Sequence, residues 1–192
     1  MKRLRFPKLL WDLLPGMRTE RTPAARSTPP TRKGGTSARQ AKYDALVEEM
    51  KRTHRLRVNK WRSSTSGCAW EVHYGDGSVS RLIESPYPRG PMSCAVFMHE
   101  VGHHAIGLHR YRPRCLEEYH AWRWALEEME QRGFSVTDRV RTRRDDALRY
   151  AIAKALRRGL RRLPLELIEW APPDIRQQVL QANTSSSEPR LV

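Results

Sequence analysis

The chain has 192 residues, 30% of them charged and 39% apolar, and a formal net charge of +15. That length holds one domain with a core plus tails, while no apolar run approaches the ~18–20 residues of a membrane-crossing helix and no h-region of a secretion signal opens the chain. Three cysteines, Cys68, Cys94 and Cys115, lack C-x-x-C spacing, which argues against a disulfide framework and for a reducing, cytoplasmic setting with each thiol a small buried hydrophobe.

The positive charge sits in two blocks. Residues 1–40 and residues 139–162 each carry +8, and everything else sums to −1. Such blocks are either a footprint for an anionic partner, nucleic acid or anionic lipid, or solvated faces in an arginine-rich chain. Residues 1–38 read as a basic, disordered tail, because five prolines and Gly34-Gly35 break any long element. Within the tail, Phe6 to Leu14 can form a turn or two of basic amphipathic helix. Its Arg-rich character is similar to a transit peptide, against which stand Pro7 and Trp11-Asp12.

Order is expected from about Ala38. Ala41, Ala45, Val47 and Met50 predict a helix to about Arg55, and Leu56 to Trp61 alternates as a strand. After a loop over Ser63 to Gly67, two strand-like runs, Ala69 to Tyr74 and Val79 to Glu84, flank Gly75-Asp76-Gly77, a hairpin signal. Ser85 to Pro91 breaks the chain. Helices follow from Pro91 to about His109, from Arg114 to about Arg132, and from Asp138 to about Arg158. A short one spans Leu165 to Trp170, and Asp174 caps a last one to Gln181. The expected class is α+β: mainly helical, with a small antiparallel sheet beside the first long helix after the hairpin. The organisation is a tail (1–38), a core (39–133), a basic helical extension (134–182) and a disordered end (183–192).

The helix after Pro91 carries His99-Glu100-Val101-Gly102-His103, an H-E-x-x-H motif. Histidines four apart share one helix face, where both imidazoles reach one metal ion, and Glu100 between them reaches a water held there. At ~100° per residue, Cys94, Met98, Val101, Ala105 and Leu108 form a core stripe, with His99 and His103 opposite. His104 falls at the edge of that stripe and cannot share the ion. Zn²⁺ then needs a third protein ligand and an open fourth position. On the next helix Cys115, Glu118, Ala121, Trp122, Ala125 and Met129 form the apolar stripe. A carboxylate in such a stripe is costly without a cation, which selects Glu118 over Glu117. Glu117 points about 100° away and reads as a first-turn acid complementing the helix dipole.

These residues imply a metal-assisted hydrolase acting on protein. Zn²⁺ on His99, His103 and Glu118 activates a bound water, and Glu100 is the general base that passes the proton to the leaving amine. Substrate is expected to run extended along the hairpin edge, for instance beside Val79 to Glu84, by strand addition. Tyr111, Tyr119, His109 and His120 are candidate oxyanion donors, with no one of them singled out.

The segment Met92 to His103 resembles the active-site helix of the ImmA/IrrE-type metallopeptidases, a gluzincin-type mini-zincin family. Glu118-Tyr119-His120-Ala121-Trp122-Arg123-Trp124-Ala125 resembles that family's E-x-x-A-x-x-aromatic-A signature, and is similar to the E-x-x-A-D helix of the CAAX prenyl proteases. Trp122 stands where related patterns carry Asp or Asn. The resemblance covers residues 40–130 and implies an intracellular bacterial or mobile-element peptidase with a repressor-like regulator among its substrates. The alternative is a nucleic-acid-binding or interaction protein on the same fold. Arg139, Arg141, Arg143, Arg144, Arg157, Arg158, Arg161 and Arg162 then form the phosphate-binding surface, with the N-terminal tail.

Overall fold

The computed structural model describes residues 37–178. The expectations for the tail up to residue 36 and for the chain end after residue 178 lie outside those residues. The chain divides into two compact units, Met1–Val101 and Gly102–Val192, and the division falls inside one continuous helix.

In the first unit, α1 spans Ala38–Thr53. Ser37 caps it, its side-chain oxygen accepting from the Gln40 N–H at 3.2 Å and so satisfying one of the orphan donors of the first turn. Tyr43, Leu46, Val47 and Met50 recur at helical spacing and are all buried. Against α1 packs β1, Leu56–Arg62. The hairpin is as the sequence predicts: β2 (Cys68–His73) pairs antiparallel with β3 (Val79–Pro86), Cys68 opposite Glu84 and His73 opposite Val79. Its turn closes by Gly77 N–H on the Tyr74 carbonyl at 3.1 Å. Asp76 Oδ1 accepts from the Ser78 N–H at 2.9 Å.

The sheet is mixed rather than antiparallel. Its order is β1-β3-β2, and β1 runs parallel to β3, from Leu56 opposite Arg81 to Arg62 opposite Pro86. The hairpin occupies one side of β3, so the earlier strand takes the other side and runs in β3's direction. A consequence is that β3 is paired on both edges. Strand addition beside Arg81 to Glu84 therefore has no edge to use, and the open edge of the hairpin belongs to β2, with β1 the other edge of the sheet. The sheet core centres on Ile83, fully buried in the middle strand.

The helix α2, Pro91–Ala105, starts with proline at its first position, where the missing N–H costs nothing. Ser93 Oγ accepts from the N–H groups of Arg89 and Gly90, at 2.9 and 3.2 Å. It ends four residues before the expected His109. Gly107 (φ 87°) and His109 (φ 63°) turn left-handed there, a conformation that terminates a right-handed helix.

In the second unit, α3 (Arg114–Gln131) packs on α4 (Asp138–Arg157), and a short 3₁₀ helix, Leu165–Trp170, packs on both. Trp170 Nε1 donates to Asp145 Oδ1 at 2.8 Å and ties the short helix to α4. A helical turn over 173–178 contains Asp174 inside it, with proline at 173 as its first residue. Among the described residues no helix is long and apolar enough to cross a membrane.

The hairpin gives a direct test of its turn. Gly77 has φ 82°, whereas Gly75 stands outside the left-handed region with open space around it. In urea denaturation, Gly77→Ala should lose about 1–2 kcal/mol and Gly75→Ala less than about 0.5 kcal/mol. Equal losses would contradict the turn.

Candidate metal centre

Every residue of α2 from Cys94 to His104 is buried. The sequence predicts one core face and one ligand face; the structure covers both. His99 and His103 are each 2% exposed and Glu100 is 2% exposed. A helix buried all round must place its polar side chains against partners. For His103 those partners come from the first turn of α3.

Two adjacent carboxylates of α3 flank the His103 ring. Glu117 Oε1 lies 3.1 Å from Nδ1, while Glu118 Oε2 lies 3.7 Å from Nε2. The first is a hydrogen bond, with Nδ1–H donating. The second is too long for one, but it suits two atoms that share a cation: ligands ~2.0–2.1 Å from a tetrahedral ion are roughly 3.3–3.4 Å apart. With Nδ1 bearing the proton, Nε2 keeps its lone pair and points toward Glu118. One turn earlier on α2, His99 completes the set. The ligand atoms of His99, His103 and Glu118 all lie within 4.8 Å of one another, and all three residues are buried. Two imidazole nitrogens and one carboxylate oxygen are the donors of a catalytic zinc site with a position left open. The donor set therefore fits a divalent ion, and zinc is one ion of the class it accepts.

Arg114 organises the two carboxylates. Its NH1 donates to Glu117 Oε1 at 2.8 Å and its Nε to Glu118 Oε1 at 3.1 Å. The guanidinium thus takes one oxygen of Glu118 and leaves Oε2 facing the imidazole. Burial pushes the Glu117 carboxyl up, but the His103 hydrogen bond and the charges of Arg114, His103 and His109 outweigh it and hold the group below the usual carboxylate range. Close packing of α3 on the end of α2 makes these contacts reachable. A Cβ on Gly102 would lie 2.8 Å from the Ala121 carbonyl oxygen and 3.1 Å from Trp124.

The structure brings together His99, His103 and Glu118, the three residues that the sequence singles out, and leaves His104 buried but outside the cluster. Glu117 is the first-turn acid that the sequence predicts, but its flank is not open. That side chain is 1% exposed, more deeply buried than Glu118 at 6%. The flank assigned to a helix-dipole contact is covered by His103. Arg114 was not singled out, although its spacing of three and four residues before the two carboxylates is a helix-pairing signal. Of the oxyanion candidates, His109 approaches the cluster, its Nδ1 3.9 Å from Glu117 Oε2. Tyr111 stacks on His120 at 3.9 Å, and Tyr119 packs edge-on to His120 and tilted against Trp170. The buried thiol of Cys94 is pushed up to about 12, so it remains a protonated core hydrophobe as expected.

Metal titration against a chromophoric chelator checks the assignment. The wild-type chain should take one divalent ion, Glu118→Ala should abolish tight binding, and Glu117→Gln should weaken it by about 10–100-fold. Equal and complete loss in both variants would contradict the division between ligand and orienting group.

No family model matches the chain, and neither curated proteins nor solved structures yield a match.

Proposed function

We propose that this chain is a zinc-dependent peptidase. The observation that carries the reading is the buried convergence of His99, His103 and Glu118, with the equally buried Glu100 next in sequence to one of those histidines. His99, His103 and Glu118 would hold the ion. When bound, zinc supplies Lewis-acid activation of water and of a scissile carbonyl. Glu100 takes the proton of the attacking water and returns it to the departing amine. Its burial keeps bulk water from competing for that proton. Glu117 holds His103 in the tautomer with Nε2 free, and Arg114 holds Glu118 by the oxygen not needed for the metal.

The substrate is a protein segment in extended form. Of the two open sheet edges, β2 supports this best, because the residue just before it, Gly67, adjoins Glu100. Choosing a repressor-like regulator as the substrate rests on the family resemblance of Met92 to His103 and Glu118 to Ala125. Glu100→Gln should retain one zinc per chain while its cleavage of an unfolded protein such as casein falls by about 10²–10⁴-fold. Undiminished cleavage would remove Glu100 from the mechanism.

A second reading, compatible with the first, is that the basic C-terminal block binds nucleic acid. The supporting observation is how the arginines divide. Arg141, Arg144 and Arg149 pair with Glu130, Asp145 and Asp146. Arg157, Arg158, Arg161 and Arg162 are exposed within six residues and hold no ion pair among the described residues. In fluorescence anisotropy with duplex DNA, replacing these four by alanine should lower affinity and flatten its salt dependence. The same change at Arg141, Arg144 and Arg149 should do less. Binding that ignores salt would discard this reading.

A further inference from the structure

We infer that Gly67 is a positioning residue for the Glu100 carboxylate: its missing side chain is the space in which that carboxylate lies. The inference rests on the peptidase reading, since Glu100 is the base only there. The steric fact is independent of it. A Cβ built on Gly67 would overlap Oε1 of Glu100, with the Cγ at 2.5 Å and the Cδ at 2.7 Å. Ordinary carbon contacts need ~3.5–4.0 Å. Glu100 is 2% exposed, so its carboxylate cannot yield to a methyl group and keep its place.

Two features make the wall behind the carboxylate firm. Gly67 is not in the left-handed region, so alanine fits the backbone there and the methyl group alone is tested. The loop that carries Gly67 is stapled by Arg62, a side chain mostly withdrawn from solvent at the end of β1. Its Nε and NH2 hold Glu84 of β3, at 3.0 and 2.9 Å. Its NH1 donates to Ser66 Oγ at 3.0 Å, and NH2 lies 3.8 Å from Cys68 Sγ. Both chain neighbours of Gly67 are therefore tied to the sheet. The Cys68 thiol, pushed up to about 12 by burial and next by the Glu100 charge, is neutral beside the base.

The test is a thermal double-mutant cycle on metal-free full-length protein, followed by inhibitor binding to the cobalt-loaded form. Gly67→Ala should lower Tm by about 3–8 °C in the wild-type background and by less than about 1 °C in Glu100→Ala, which lacks all three overlapped atoms. If Gly67→Ala fails to fold, recovery of folding in Gly67→Ala/Glu100→Ala gives the same support. The loaded Gly67→Ala protein should keep one ion per chain and bind acetohydroxamate, which hydrogen-bonds the base, about tenfold more weakly, as should Glu100→Gln. Equal Tm losses in both backgrounds, no folding in either, or wild-type hydroxamate affinity in Gly67→Ala would overturn the inference. A wild-type chain that takes up no divalent ion overturns the peptidase reading and with it the role of the base, while the Tm cycle still reports the contact separately.

Discussion

Two neighbouring carboxylates withdrawn from water at the start of α3 are the constraint around which this structure is arranged. Glu117 and Glu118 are almost fully buried, and Arg114 supplies one positive charge between them. Burying an uncompensated carboxylate costs several kcal/mol. Buried Glu100 adds a further negative charge close by, and a divalent ion on His99, His103 and Glu118 would offset part of the charge of this cluster.

Positioning follows from close packing rather than from the motif alone. Histidines four apart on a helix align on any surface helix. Here the glycine inside the motif lets α3 approach the end of α2 near Ala121, with Trp124 beside it. That approach sets the His103 ring between two carboxylates of different duty, one oriented at each ring nitrogen. Ser93 secures the helix start and the left-handed residues after Ala105 its end. The polar cluster is thus held by regular elements, which fix geometry better than loops do.

Much of this was legible from local spacing. The hairpin, each long helix and the stripe of Cys115, Glu118, Ala121, Trp122, Ala125 and Met129 follow from periodicity, and all of that stripe is buried. The failures share a cause. A helical wheel treats one helix at a time, so it places Glu117 off the apolar stripe without showing that His103 of α2 covers that flank. The direction of β1 depends on a pairing with β3 across the chain, for which no local residue gives a signal, whereas Asp76-Gly77 announces the antiparallel hairpin outright. The early end of α2 is different: Gly107 is a stop signal present in the sequence, and the apolar stripe continues past it to Leu108.

X-ray absorption at the zinc edge of the loaded full-length protein tests the central claim most directly. The account predicts two imidazole nitrogens and carboxylate and water oxygens at ~2.0–2.2 Å, with no sulfur. A sulfur scatterer near ~2.3 Å, or a shell without imidazole scattering, would contradict it.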